Sequence, residues 1–256
     1  MDKVLVIIPA YNEALNIERV VGNLTENYPF YDFVVVNDGS TDQTGEICRR
    51  HGWNLIDLPV NLGLAGAFQT GIKYAYYKKY AYALQFDGDG QHRPEYIGLM
   101  REKMDEGYDI VIGSRYLTEK KVDSMRLVGS CLISAAIRLT TGVSVKDPTS
   151  GMRMFNKKMI EEFAHGLNYG PEPDTISYLM KQGAKVSEIP VQMDERVLGE
   201  SYLKPFNAAV YMGKMLFSIL LVQNFRKRDG SASLRIDCNI CVSYLVYAEK
   251  NTSVQN

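Results

Sequence analysis

Short apolar runs alternate with amphipathic stretches through the first half of the chain. Val4-Leu5-Val6-Ile7-Ile8 and Phe33-Val34-Val35-Val36 are continuous enough to be strands buried on both faces. Between them, Ile17, Val20, Val21 and Leu24 share one face of a helix that Asn12 is placed to cap. The pattern then predicts a helix ending near Arg50, a short strand over Asn54–Leu58 and a helix over Gly63–Lys79. A strand over Tyr82–Phe86, a helix from Pro94 to about Glu106 and a strand over Asp109–Ile112 complete this half. Apolar strands separated by helices predict a mostly parallel, doubly wound α/β sheet.

The second half is less regular. Leu127–Thr140 and Asp174–Gln182 read as helices, and Lys185–Met193 as an edge-like strand broken by Pro190. Asp147–Phe155 reads as a loop. Pro205–Phe225 places Phe206, Ala209, Val210, Leu216, Phe217, Leu220, Leu221 and Phe225 on one broad helical face, and Arg226-Lys227-Arg228 ends it. Such a helix suits either packing on the domain or a partner copy, or lying on an anionic membrane surface. The pattern thus divides into a catalytic-size unit over 1–203, an amphipathic helix over 204–228 and a weakly patterned tail over 229–256.

Composition narrows the class. With 256 residues, 46% hydrophobic and 23% charged, the chain suits one globular α/β domain with a short appendage. A net charge of −1 gives no global attraction to nucleic acid. Packing between helix and sheet is the default reading of the Tyr74, Tyr76, Tyr77, Tyr80 and Tyr82 cluster, and base stacking is a poor alternative without a basic companion patch. Cys48, Cys131, Cys238 and Cys241 are too sparse for a disulfide scaffold, and the lone Cys238-Asn239-Ile240-Cys241 lacks a second pair for zinc. A cytoplasmic protein is expected, without a signal peptide or a spanning helix.

The candidate chemistry lies at the strand ends, where ligands of such sheets bind. Asp87-Gly88-Asp89-Gly90-Gln91 follows a strand directly. Two carboxylates one residue apart on a glycine-rich turn can face one hard cation, Mg²⁺ or Mn²⁺, that shares oxygens with a diphosphate. A plain polar turn uses the same residues. In Pro9-Ala10-Tyr11-Asn12-Glu13, Pro9 stiffens the exit, Tyr11 can stack on a base or ribose, and Glu13 can accept a ribose hydroxyl. Taken alone, the motif reads better as a helix start, with Asn12 as N-cap and Glu13 at the positive helix end. In Asn37-Asp38-Gly39-Ser40-Thr41-Asp42, Asp38 can accept from a base imide, and Ser40 or Thr41 can cap a helix. Asn61-Leu62-Gly63 is a further turn before a helix.

In this order, Val6–Glu13, Val36–Asp42, Asn61–Gly63 and Asp87–His92 resemble glycosyltransferase family 2, nearest to its dolichyl- and polyprenyl-phosphate sugar synthases and bacterial polysaccharide transferases. Gly113-Ser114-Arg115-Tyr116 and Asp147-Pro148-Thr149-Ser150-Gly151-Met152-Arg153 extend the similarity. So do Glu188–Val191 and Arg196-Val197-Leu198-Gly199-Glu200-Ser201. Met152 stands where the family has an aromatic residue, and Tyr202 where its lipid-phosphate branch has Lys.

The resemblance implies the GT-A fold, an inverting reaction, a nucleotide-sugar donor and a divalent metal. It implies metal ligands at Asp89 and Gln91, with Asp87 on the metal, its water or the ribose. It places Arg196 on the donor phosphate, and Arg115, Arg126, Ser130 and Ser201 toward an acceptor phosphate. Asp147, beside Arg153 in the same loop, is the candidate general base, with Asp174 as a second. A hydroxyl acceptor needs such a base, whereas a phosphate, already largely ionised near pH 7, does not. The implied acceptor is a polyprenyl phosphate or lipid-linked saccharide, used at the inner membrane face in cell-surface glycan synthesis, with homo-oligomers possible. A metal-dependent nucleotidyltransferase also uses Asp-x-Asp, but Pro9–Glu13 lacks its glycine-rich loop. A non-catalytic nucleotide-sugar binding module is the third alternative.

Overall fold

The computed structural model describes residues 3–117, 125–165, 170–194 and 205–223. The tail, its cysteines and Arg226-Lys227-Arg228 lie outside the described residues. Seven strands make one sheet: β1 (Val4–Ala10), β2 (Asp32–Asn37), β3 (Leu55–Asp57), β4 (Tyr82–Gln85), β5 (Ile110–Ser114), β6 (Arg153–Asn156) and β7 (Val186–Pro190). Their order is β3-β2-β1-β4-β6-β5-β7.

β1 pairs in parallel with both β2 and β4, and β5 with β7. The chain therefore winds outward from β1 through β2 to β3, then returns to the other side of β1 as β4. This reversal opens a crevice beyond the carboxyl ends of β1 and β4, the usual ligand position in such sheets. β6 runs antiparallel between β4 and β5. It corrects the reading of Asp147–Phe155 as loop throughout: only the first part is loop, and Arg153–Asn156 completes the sheet.

Alternation along β1 divides the core. Val4, Val6, Ile8 and Ala10 meet α1 (Ile17–Asn27) and α4 (Ile97–Asp105) through Ile17, Val21, Ile97 and Met100. The opposite face carries Leu5 and Ile7. There, Gly71 of α3 (Gly63–Tyr77) lies so close that a β-carbon would meet Ile7 Cγ2 at 2.2 Å. Phe68 of α3, Phe155 of β6 and Phe163 of α6 (Lys157–His165) form a buried aromatic triad with centroids 5.1–5.5 Å apart. α2 (Thr44–Arg50) lies on the β2–β3 side of the molecule.

α5 (Met125–Thr141), α7 (Pro173–Lys181) and α8 (Pro205–Phe217) pack together beyond the sheet. The expected helix over Pro205–Phe225 is present through Gln223, as α8 continued directly by a π-helical turn, Ser218–Val222. That turn brings Ser218 and Gln223, five residues apart, onto one carboxylate: Asp174 Oδ2 accepts from Ser218 Oγ at 2.6 Å and from Gln223 Nε2 at 3.4 Å. Tyr211 donates to Glu172 just upstream. α8 is thus packed on the domain through polar contacts, while Val210, Phe217, Leu220, Leu221 and Val222 remain exposed. No helix among the described residues is long and apolar enough to cross a membrane.

Candidate active site

The loops after β1 and β2 are tied to each other. Asn12 takes a left-handed backbone, φ 55°, available to Asn at modest cost. Its N–H donates to Ser40 Oγ and its Oδ1 accepts from Thr41 N–H, both at 2.9 Å. Glu13 N–H donates to Thr44 Oγ1, and Ala14 N–H to Asp42 Oδ2. Asn12 therefore does not cap α1, because its side chain is spent on the neighbouring loop; Asn16 holds the cap position. Ser40 and Thr41 likewise bond Asn12 rather than capping α2. Burial opposes the charge on Asp42, but hydrogen bonds from Thr44 and Ala14 outweigh it and hold the carboxyl below its usual range.

Asp38 is buried at the end of this brace. Its N–H donates to Ala10 O, and its Oδ1 accepts from Leu62 N–H at 2.7 Å. Gly39, at φ 65°, leaves no room for a β-carbon against Asn61 N, 2.5 Å away. Asp38 and the Asn61-Leu62-Gly63 turn thus form one wall. Pro9, one residue before the end of β1, is half-buried; Tyr11 follows the strand and is exposed; Glu13 Oε2 accepts from Asn16 Nδ2 at 2.8 Å.

Across the crevice, the turn after β4 carries Asp87 and Asp89. Asp87 N–H donates to Nδ1 of the buried His92 at 2.9 Å. Asp89 Oδ1 accepts from Gln91 N–H at 3.1 Å. Gln91 is pinned to the segment after β7: its carbonyl accepts from Asp194 N–H and its Nε2 donates to Asp194 O. Arg93 pairs with the Asp194 side chain. These partners leave the Gln91 amide oxygen as an acceptor, so the turn offers two carboxylates and one amide oxygen. Hard oxygen donors of this kind suit Mg²⁺ or Mn²⁺. No group of three His, Cys, Asp or Glu among the described residues is placed to hold a metal. The turn by itself therefore supplies fewer oxygen ligands than such a cation takes.

The third wall is the loop leading into β6. Asp147 is 0% exposed and accepts from Arg115 N–H, Nε and Nη2 at 3.1, 2.7 and 2.8 Å, and from Thr149 Oγ1 at 3.2 Å. Glu188 of β7 supports the same loop by accepting from the N–H groups of Lys146 and Asp147. Arg153, 2% exposed, donates through Nη2 to Pro148 O at 2.6 Å, while its Nε and Nη1 have no partner. Burial pulls its pKa down, against the fields of Tyr211, Glu172, Asp147 and Asp87. Both base candidates are engaged: Asp147 by Arg115, and Asp174 by Thr175 N–H and Ser218.

Contacts join the predicted residues in two groups: Asp38 with the end of β1 and the segment after β3, and Asp87 with the Asp147–Arg153 loop and Arg115 through Gly151 and Asp147. Ser130 is buried within α5, its Oγ without a partner. Arg126 starts that helix, but its side chain lies outside the described residues, as do Arg196, Ser201 and Tyr202. Sequence reasoning gave no role to Glu188, Asp194 or Tyr211. They act by holding loops, and the only sequence signal is their place beside or within quoted motifs.

Comparison with known proteins agrees with this geometry. The glycosyl transferase family 2 profile matches residues 5–163. The polyprenol monophosphomannose synthase of Mycolicibacterium smegmatis is 29% identical over 227 residues, covering 84% of this chain and 86% of its own. A UDP-N-acetylglucosamine–dolichyl-phosphate N-acetylglucosaminyltransferase of Methanococcus voltae is 30% identical over 251 residues, covering 88% and 98%. In three dimensions, glucosyl-3-phosphoglycerate synthase of Mycobacterium tuberculosis, solved with Mn²⁺, uridine diphosphate and phosphoglyceric acid, matches with TM-score 0.64 and 18% identity. That match covers 90% of this chain and 81% of the synthase, and shows the shared GT-A fold. Strand order, strand-end motifs and sequence similarity agree that this chain belongs to glycosyl transferase family 2.

Proposed function

We propose that the protein moves a sugar, with inversion, from a nucleotide-sugar donor to a polyprenyl phosphate or closely related lipid-linked acceptor at a membrane surface. The donor half rests on the crevice between β1 and β4. Tyr11, Glu13 and Asp38 face the nucleoside, and Asp87, Asp89 and Gln91 would hold Mg²⁺ or Mn²⁺ against the diphosphate. When bound, the cation offsets charge on the departing diphosphate. Arg196 is assigned to the same diphosphate.

One observation carries the acceptor half: Asp147 is fully buried with both oxygens on Arg115 and Thr149. A carboxylate so engaged is a poor proton acceptor for an incoming hydroxyl. An acceptor that arrives ionised needs none, and a phosphate monoester does so near pH 7. Asp147 then orients Arg115, whose side chain is 32% exposed and presents charge to an anion. Arg126, Ser130 and Ser201 are assigned beside it, and Arg153 holds the Asp147–Met152 loop from beneath. The relatives named for polyprenol and dolichyl phosphates support the lipid. The exposed apolar residues of α8 and the π-helical turn support contact with a membrane.

The test is release of nucleoside diphosphate from a panel of nucleotide sugars with Mn²⁺, with and without polyprenyl phosphate. Release that depends on the lipid phosphate and is lost in Asp89→Ala is expected. Absence of both release and donor binding across the panel overturns the proposal.

A further inference from the structure

Two neighbouring groups from different segments adjoin the same oxygen of the Asp87 carboxylate. His92 approaches from its own turn. Its Nδ1 accepts the Asp87 N–H at 2.9 Å, so in the neutral ring the proton is assigned to Nε2. Nε2 lies 3.6 Å from Asp87 Oδ2, just beyond hydrogen-bond reach. The ring is buried and packs edge-on against Phe86 at 5.3 Å, which holds its orientation.

Gly151 approaches from the loop before β6. A β-carbon there would lie 2.5 Å from Asp87 Oδ2 and 3.2 Å from His92 Cε1. The loop carrying Gly151 is itself anchored at Asp147 on Arg115 and Glu188. The carboxylate that faces the donor and the loop that faces the acceptor therefore touch at a residue with no side chain.

We infer that His92 and Gly151 are positioning residues: together they set the Asp87 rotamer, so that the acceptor-side loop controls cation affinity on the donor side. The inference rests on reading Asp87 as part of a cation site. It requires glycine at 151 for space and not for backbone freedom, because Gly151 does not take a left-handed φ. Alanine there meets the end of a side chain, and the Asp87 side chain, 34% exposed, has room to rotate away. The fold should survive while the carboxylate moves.

The test is Mn²⁺ binding followed by electron paramagnetic resonance, in the presence of uridine or guanosine diphosphate. Partners that orient metal ligands typically account for 10- to 100-fold in affinity. Gly151→Ala and His92→Ala should each weaken Mn²⁺ by about tenfold or more, with melting temperature held within a few degrees. His92→Asn, whose side-chain oxygen can still accept the Asp87 N–H, should recover part of the loss. Wild-type Mn²⁺ affinity in both Gly151→Ala and His92→Ala overturns the clamp and leaves the proposed function standing. So does a loss that only tracks lowered melting temperature. No Mn²⁺ binding by the wild type with either nucleotide overturns the clamp together with the cation site.

Discussion

Asp147→Asn separates a base from a positioning group. The substitution keeps the shape and one acceptor oxygen but removes the charge facing Arg115 Nε and Nη2, now 2.7 and 2.8 Å away. Breaking a buried ion pair costs about 3–5 kcal/mol. Arg115 is about one-third exposed and can rehydrate, and the Arg115 N–H can still be satisfied. We therefore expect about 2–3 kcal/mol of lost stability, read as a lower urea midpoint at unchanged slope. In turnover, Arg115 loses its orientation, so KM for the lipid phosphate should rise by about tenfold or more, with kcat falling less. The pH profile should keep its shape, because no proton passes through residue 147. A general base would behave differently: its loss typically removes about 10²–10⁴ in rate and an ionisation from the profile. A fall of that size in kcat, with acceptor KM and stability unchanged, refutes the reasoning and returns Asp147 to the role of base.

Three further outcomes follow from the geometry. Phe163→Ala opens a cavity in the Phe68–Phe155–Phe163 triad and should cost about 3–5 kcal/mol in denaturant unfolding. Burial would raise the Asp109 pKa, but hydrogen bonds from Lys185 N–H and Asn156 and the charge of Lys158 outweigh it and lower the value. Its stabilisation is thus present above the unfolded carboxyl value of about 4 and lost as pH falls through the lower folded value. Asp109→Asn should therefore reduce the difference in urea midpoint between pH 6 and pH 3. Asn12→Ala loses the Thr41 contact and strains a φ of 55°, whereas Asn12→Gly loses only the contact. Donor KM should rise in both, and thermal stability should fall further in the alanine variant.

Much of the first half was legible because burial on both strand faces leaves continuous apolar runs, as in Val4–Ile8 and Phe33–Val36. The same strands locate the crevice, because each polar motif directly follows one. β6 escaped for a physical reason. It has four residues and begins with Arg153, a buried cation that a pattern of apolar positions cannot register. α6 lay between it and the next recognisable helix. The π-helical turn escaped because Ser218 and Gln223 look polar and solvent-facing until Asp174 is set beneath them. In the candidate site, the residues proposed to act through their side chains stand within sequence motifs. Those that act through backbone contacts, such as Asn12 on Thr41 or Glu188 on Asp147, needed three-dimensional proximity across 29 and 41 residues.

The brace between the loops after β1 and β2 has a thermodynamic consequence. Under the proposed donor role, a nucleotide at these loops would meet backbone already fixed by Asn12, Asp42 and Thr44, so few residues would remain to be ordered on binding. Ordering an interface side chain costs about 0.5–1.5 kcal/mol. With that cost met during folding, discrimination between donors falls mainly to how long each one stays bound. The nucleotide half should behave as a rigid mould with little induced heat-capacity change, and adaptation to different acceptors is left to the opposite wall.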